Sequence, residues 1–212
     1  SATLHIDFDR DGYVARNVIA RIEGSNQALE DEAIIVGAHY DHDGEDNGRI
    51  WNGADDDASG TTALMELAEA FSGGARPGRT VLLSAWAGEE KGMLGSQRYV
   101  RDPVVPLENT VAMFQLDMIG RNEEHGPNEA EGFLRERASD NGNMINLLGS
   151  AFSPDMRAAI EGANAEVGLE LRFRYDYGAQ NLIRRSDHWS FLSARIPALF
   201  IFGGLHPDYH TP

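Results

Sequence analysis

The chain has no cysteine, which excludes both a disulfide framework and thiolate catalysis. Any metal site must therefore be built from histidine, aspartate and glutamate. Basic residues are also few, because 18 Lys and Arg stand against 34 Asp and Glu, for a formal net charge of -16 at pH 7. This balance argues against nucleic acid and anionic membrane surfaces as partners, since both attract a basic face.

Long apolar runs are missing as well. No stretch approaches the roughly 18 residues of a membrane-spanning helix, and residues 1–5 show no secretory apolar region. A length of 212 residues with 42% hydrophobic side chains is enough to bury the core of one domain. The sequence shows no internal repeat and no linker, so we expect one domain over residues 1–212.

Short apolar runs alternate with amphipathic segments along the chain. Strands are predicted at residues 14–23, 33–39, 80–85, 110–116, 144–149, 169–174 and 198–202. Helices are predicted at residues 59–71, 96–101 and 154–167. We expect the first two strands to form a hairpin and residues 122–143 to form a long polar excursion. The alternation predicts an α/β domain with a mixed, mostly parallel central sheet and helices on both faces.

Ionisable residues gather at one end of these predicted strands. His39 ends one strand, Glu89 and Glu90 follow the next, and Asp117 follows the one after that. Residues 206–210 hold two histidines after the last strand. In open α/β sheets the carboxyl ends of the strands form the edge where ligands bind. We therefore expect these side chains to converge on one site.

Taken singly, these residues have ordinary explanations. The acids within residues 52–60 suit a helix N-terminus, and Glu89 and Glu90 suit a solvated loop. Taken together, two histidines with Asp56, Glu90 and Asp117 suit two zinc ions, each held by one imidazole, one terminal carboxylate and one shared carboxylate. Two divalent ions bring four positive charges against three carboxylates, which favours a bridging hydroxide over neutral water. The nearby Glu89 can take the proton that the water loses.

The segment G-A-H-Y-D-H-D at residues 37–43 holds two histidines and two aspartates. Asp41, two residues after His39, is placed to accept the second imidazole N–H of His39 and fix its tautomer. Sequence identifies no partner for His42. We expect His42 and Asp43 to be loop residues at the rim of a pocket.

Six motifs, in this order, resemble the dinuclear zinc exopeptidases, a family that includes the leucyl aminopeptidases secreted by Vibrio and Streptomyces: GAHYDH, NGADDDASG, WAGEEKGMLGS, QLDMIG, SDHWSF and HPDYHTP. The resemblance implies the zinc-exopeptidase fold, two Zn²⁺ per chain, a peptide substrate with a free N-terminus, and a secreted or periplasmic location. Relatives usually continue beyond H-T-P. We therefore expect this catalytic domain to be trimmed from a longer chain.

The resemblance also assigns the ligands. Asp56, the middle acid of D-D-D, would be shared by both zinc ions. His39 and Asp117 would complete one zinc position, and Glu90 and His210 the other. The family commonly holds the peptide bond after the shared aspartate in cis, so we expect a cis bond after Asp56.

Three further residues take roles from the resemblance. Glu89 resembles the general base that deprotonates the bridging water and later protonates the leaving amine. Tyr209 matches a tyrosine that some relatives use to stabilise the oxyanion. Other relatives carry that tyrosine just before S-D-H, where this chain has residues 183–185, so a packing role for Tyr209 stays open. Asp187 is expected beside the pocket, supporting a ligand or positioning substrate, with a helix start as the alternative.

The resemblance implies a zinc-dependent aminopeptidase. Two relatives with other chemistry are alternatives. A carboxypeptidase-like enzyme needs a positive group for a substrate carboxylate, which Arg184 or Arg185 supplies, and glutaminyl cyclases act with one zinc. The third alternative is a non-catalytic binding module of the same fold. Such a module is expected to lose ligands, whereas every ligand position is present here.

Overall fold

The computed structural model describes residue 12 and residues 14–124, 137–178 and 180–212. Strands in these ranges are β1 (Val18–Ile22), β2 (Ala33–His39), β3 (Gly44–Asp46), β4 (Arg49–Trp51), β5 (Thr80–Trp86), β6 (Thr110–Leu116), β7 (Met144–Leu148), β8 (Glu170–Arg172) and β9 (Ala198–Phe202). The α-helices are α1 (Ala58–Gly73), α2 (Leu94–Arg101), α3 (Pro154–Val167) and α4 (His188–Ser193). None of these helices is long and apolar enough to cross a lipid bilayer.

Seven strands form one sheet in the order β1-β5-β2-β6-β9-β7-β8. The four central strands, β5, β2, β6 and β9, run parallel to one another. β1 pairs antiparallel with β5, and β7 pairs antiparallel with β9. The prediction of a mixed, mostly parallel sheet is confirmed. Four neighbouring strands therefore end at the same edge.

Helices cover both faces of this sheet, as predicted. Val36 points towards α1, where it packs near the buried Leu64. Its neighbour Ile35 belongs to a separate core cluster with Tyr99 of α2 and Phe191 of α4. Successive side chains of a strand point to opposite faces, so α1 lies on one face and α2 and α4 lie on the other. This layering leaves the carboxyl edge of the sheet open.

The predicted hairpin of the first two strands is wrong. β5 lies between β1 and β2 and pairs with both. The reason is the apolar character of β2, whose side chains Ala33, Ile35 and Ala38 are almost completely buried. A strand buried on both faces belongs in the middle of a sheet. The mostly exposed β1 takes the edge and begins at Val18 rather than at residue 14.

The strands β3 and β4 and the helix α4 were missed. The hairpin β3–β4 turns at Asn47 and Gly48, which have φ angles of 51° and 76°. An Asn-Gly pair is a strong signal for a two-residue hairpin turn, so the sequence does carry this information. The six-residue α4 is too short to show a helical period. The predicted excursion over residues 122–143 lies largely outside the described residues.

Candidate metal centre

The predicted ligands lie at the carboxyl edge of the parallel strands. His39 is the last residue of β2, and Asp117 directly follows β6. Glu89 and Glu90 lie in the turn after β5, and His210 lies in the segment after β9. The topology therefore brings together side chains that are far apart in sequence.

Asp56 lies between two imidazoles. Its Oδ1 is 3.1 Å from His39 Nε2, and its Oδ2 is 3.1 Å from His210 Nε2. The two oxygens of one carboxylate thus face two different histidines. This arrangement suits a carboxylate shared by two cations.

Asp117 and Glu90 lie on opposite sides of Asp56. Asp117 Oδ2 is 3.7 Å from His39 Nε2, whereas Glu90 Oε2 is 3.4 Å from His210 Nε2. Three overlapping groups have donor atoms within 4.8 Å of one another: His39 with Asp56 and Glu90, His39 with Asp57 and Asp117, and Asp43 with Glu90 and His210. All five predicted ligands therefore occur in these groups, together with Asp43 and Asp57. Their role as ligands stays a prediction.

The donor set fits zinc by its chemistry and its charge. Imidazole nitrogens and carboxylate oxygens are both zinc ligands. Burial lowers the pKa of His39, but the nearby carboxylates of Asp117 and Asp56 outweigh it and raise the pKa well above its usual range. Burial, followed by the charge of Asp117, raises the pKa of Glu89 to about 9. A site so rich in carboxylates favours cations.

Asp57 holds main-chain groups around the site. Its Oδ2 accepts a hydrogen bond from His39 N at 3.0 Å, and its Oδ1 accepts one from Gly60 N at 3.0 Å, where it caps the start of α1. Both carboxylate oxygens therefore have main-chain donors. The peptide bond between Asp56 and Asp57 is cis, as predicted. Asp57 thus fixes the end of β2 and the start of α1 beside Asp56.

Asp55, the first acid of D-D-D, ties three segments together. Its Oδ1 accepts a hydrogen bond from Gly120 N at 2.7 Å, and its Oδ2 lies 3.0 Å from His206 Nε2. His206 is thereby engaged away from the ligand set. Among the three adjacent aspartates, Asp56 is the one that faces both candidate histidine ligands.

Asp41 supports the site differently from the prediction. His39 Nδ1 lies 3.0 Å from the main-chain oxygen of Asp41 and 3.9 Å from its carboxylate, so the predicted carboxylate–imidazole bond is wrong. The carboxylate instead accepts hydrogen bonds from the main-chain N–H groups of Gly88, Glu89 and Glu90. Asp41 therefore fixes the turn that carries the predicted base. Sequence alone does not show that this turn folds over Asp41.

His42 and Asp43 lie in the loop after β2, as expected, and His42 lines a pocket. Both also contact charged side chains. His42 Nδ1 lies 2.8 Å from Glu90 Oε1, and Asp43 Oδ2 lies 3.3 Å from His210 Nδ1. Both contacts cross between segments that are distant in sequence. Each residue therefore touches a predicted ligand.

Asp187 lies in a buried polar network. Its carboxylate is fully buried and accepts hydrogen bonds from Ser96 Oγ at 2.5 Å and from Gln115 Nε2 at 3.4 Å. Burial raises the pKa of Asp187 to about 7. Although it precedes α4, its side chain makes no capping hydrogen bond. Asp187 therefore stands at the start of α4, but its carboxylate is used in this buried network rather than to cap the helix.

Ser186 is a site residue that sequence reasoning missed. Its Oγ donates a hydrogen bond of 2.5 Å to Asp117 Oδ2. The hydroxyl is completely buried. The sequence signal that could have identified Ser186 is its place in the S-D-H motif. Ser186 restrains the carboxylate that faces His39.

A pocket adjoins the carboxylates. Its polar lining includes Glu89, Asp117, Arg185 and Tyr209, and its apolar lining consists of Met118, Leu182, Phe200, Phe202 and Leu205. The Tyr209 ring lies 4.1 Å from the ring of His210 and packs against an apolar cluster. Tyr209 therefore both lines the pocket and packs against the apolar cluster, so its position is compatible with either predicted role.

The two arginines before S-D-H point to different surroundings. The guanidinium of Arg184 lies over the Trp189 ring, 4.7 Å from its centroid. Arg185, by contrast, lines the pocket. Of the two cations, Arg185 is the one that a substrate in this pocket meets.

Comparison with known sequences gives a consistent result. The model of peptidase family M28 matches residues 17–212. A probable zinc metalloprotease from Pyrenophora tritici-repentis is 30% identical over 191 residues, which cover 84% of this chain and 43% of that protein. The probable glutamate carboxypeptidase AMP1 from Arabidopsis thaliana is 31% identical over 209 residues, which cover 92% of this chain and 26% of that protein. The chain therefore spans less than half the length of these relatives.

The fold is also similar to solved structures. BSAP, a zinc aminopeptidase from Bacillus subtilis, superposes with a TM-score of 0.68 over 92% of this chain and 43% of that chain, at 23% sequence identity. At this identity the likeness establishes the fold.

Proposed function

Because this chain belongs to peptidase family M28, we propose that it is a zinc-dependent aminopeptidase that holds two Zn²⁺ ions and cleaves the first peptide bond of a substrate with a free N-terminus. The placement of Asp56 carries the proposal, since its two carboxylate oxygens face His39 and His210 at 3.1 Å each. One position would use His39, Asp56 and Asp117. The other would use His210, Asp56 and Glu90.

Zinc, when bound, polarises a carbonyl and makes water a stronger nucleophile. The protein's part of the reaction falls to Glu89, which lines the pocket together with Asp56 and Asp117. Its carboxylate takes the proton of the attacking water and returns it to the nitrogen of the leaving peptide. The hydrogen bonds that the main-chain N–H groups of residues 88–90 donate to the Asp41 carboxylate hold this base in place. The Tyr209 hydroxyl is the candidate donor to the developing oxyanion.

The test is the variant Glu89→Ala with its zinc content measured. General base catalysis contributes about 10²–10⁴-fold, so we expect kcat to fall by that factor with zinc retained. Lys91→Ala is the matched control, because Lys91 is an exposed neighbour in the same turn. Near-normal turnover in Glu89→Ala contradicts the assignment of the base.

A carboxypeptidase-like activity is the second candidate, and the pocket position of Arg185 favours it. A guanidinium at this place can bind a substrate carboxylate in a bidentate manner. The name of the Arabidopsis relative, a probable glutamate carboxypeptidase, is consistent with such a substrate.

Three versions of one dipeptide separate these activities: free, N-acetylated and C-amidated. An aminopeptidase loses activity on the acetylated form and keeps it on the amidated form. A carboxypeptidase-like enzyme shows the reverse, and Arg185→Gln then raises KM.

The resemblance to secreted leucyl aminopeptidases supports action outside the cytoplasm.

A further inference from the structure

Two side chains that the proposed mechanism leaves unused touch one half of the metal centre. They are His42 and Asp43, which follow His39 in the same segment. His42 contacts Glu90, and Asp43 contacts His210. Neither touches the half formed by His39 and Asp117 in the described part of the chain.

Asp43 acts on the far side of the His210 ring. His210 Nε2 lies 3.1 Å from Asp56 and 3.4 Å from Glu90, while its Nδ1 lies 3.3 Å from Asp43 Oδ2. A cation bound at Nε2 requires the proton to be on Nδ1, the nitrogen that faces the Asp43 carboxylate. A carboxylate partner fixes the tautomer and makes the imidazole a stronger ligand.

The equivalent partner of His39 is different. His39 Nδ1 faces a neutral main-chain oxygen, that of Asp41, at 3.0 Å. The Nδ1 atoms of the two imidazoles therefore face oxygens of different charge. Both groups belong to the short segment of residues 41–43.

His42 restricts the second ligand of the same half. Its Nδ1 lies 2.8 Å from Glu90 Oε1, while Glu90 Oε2 faces His210. One carboxylate oxygen is thus occupied by His42, and the other is left for a cation. His42 is mostly buried, with 12% of its side chain exposed, so this contact is shielded from water.

We propose that His42 and Asp43 are positioning residues that set the zinc affinity of the position at His210 and Glu90. They do not affect the zinc affinity of the position at His39 and Asp117. This inference rests on the two-ion centre of the proposed function. Asp41, the first residue of the segment, has a different task, since its main-chain oxygen faces the His39 ring and its carboxylate holds the turn of residues 88–90.

The experiment measures zinc retained per chain against a graded series of buffered chelator concentrations. Removing a partner outside the ligand shell typically costs 10–100-fold in metal affinity. We expect Asp43→Ala and His42→Ala to release one of two zinc ions at about 10–100-fold higher free zinc than the wild type does. Asp43→Asn is expected to lie in between, because its amide offers His210 a neutral oxygen like the one on His39.

Glu45→Gln is the matched control, since it removes a negative charge from an exposed position two residues away. It should leave both release steps unchanged. The melting temperature of the chelator-treated protein should also match the wild type in all variants, which separates positioning from a general loss of structure.

Two results overturn the inference. One is that the wild type holds two zinc ions, and that Asp43→Ala and His42→Ala release both ions at the same free zinc concentrations as the wild type. The other is an equal shift of both steps, which indicates a general electrostatic effect. A wild type that binds fewer than two zinc ions refutes the two-ion centre of the proposed function itself, and this inference with it.

Discussion

The two halves of the candidate metal centre are built from different parts of the fold. The half with His39 and Asp117 stands on the ends of two central parallel strands, and the His39 side chain is only 1% exposed. The half with Glu90 and His210 stands on turns after the strands, and the His210 side chain is 34% exposed. One half is therefore held by the core of the protein, and the other by contacts between loops.

This difference predicts how each half keeps its geometry. In the first half, Ser186 and Asp57 hold Asp117 and the backbone of His39 from buried positions. In the second half, the contacts of His42 and Asp43 replace the missing secondary structure. A rigid scaffold lowers the cost of organising a metal site. We therefore expect the His39 half to bind its zinc more tightly than the His210 half.

Removing the residue common to both halves should have the largest effect. Asp56→Ala deletes the carboxylate between His39 and His210, so we expect both zinc ions to be lost at ordinary chelator concentrations. Because metal catalysis supplies several kcal/mol, activity should fall by about 10³-fold or more. Elemental analysis and a peptidase assay provide the measurement. Retention of one tightly bound zinc contradicts a shared role for Asp56.

Single histidine variants should separate the halves. His39→Ala and His210→Ala should each lose one zinc ion, but His39→Ala should also destabilise the protein without metal. Removing a buried partner of carboxylates costs about 3 kcal/mol of unfolding free energy. The pair of His210 with Asp56, in which the His210 side chain is 34% exposed, contributes less, about 1 kcal/mol. Chemical denaturation in chelator measures this. If the two variants are destabilised equally, the fold does not hold the His39 half more firmly than the His210 half.

The sequence predicts the half with His39 and Asp117 more completely than the half with Glu90 and His210. The apolar runs that end in His39 and Asp117 predict both a buried strand and its functional end, because a strand's burial and its last residue are local features. Glu89, Glu90 and His210 were found through their motifs. Their mutual distances depend on turns whose paths are not local, so the sequence predicted the residues and not their contacts.

The wrong predictions have a similar cause. Asp41 was expected to bind the His39 ring, yet its carboxylate is taken by three N–H groups of the turn after β5. His42 was left without a partner because Glu90 is distant in sequence. The pairing of β1 with β5 was missed for the same reason. Strand neighbours and loop contacts are decided by tertiary packing, which a single sequence reveals only in part.

Acid should destabilise the fold through His188, a fully buried residue of α4 that stacks on Phe200. Burial lowers the pKa of His188 from 6.5 to about 3, so the imidazole stays neutral in the fold. Its contribution to stability is complete above pH 6.5 and is lost as pH falls towards 3. At pH 4 the loss is about 3 kcal/mol. His188→Phe should flatten this part of the stability profile, measured by denaturation between pH 7 and 4. If the unfolding free energy of His188→Phe depends on pH as that of the wild type does, His188 is not the group responsible.

The smallest expected effect concerns the backbone of the loop half. Trp51 at the end of β4 donates from Nε1 to the main-chain oxygen of His210 at 3.3 Å. This bond is exposed, and a typical hydrogen bond contributes about 0.5–1.5 kcal/mol. Trp51→Phe keeps an aromatic ring and removes the donor, so zinc affinity of the His210 half should weaken about threefold. Ile50→Val on the same exposed strand is the control. A shift in the His39 half instead shows that β4 supports the whole centre rather than its loop half.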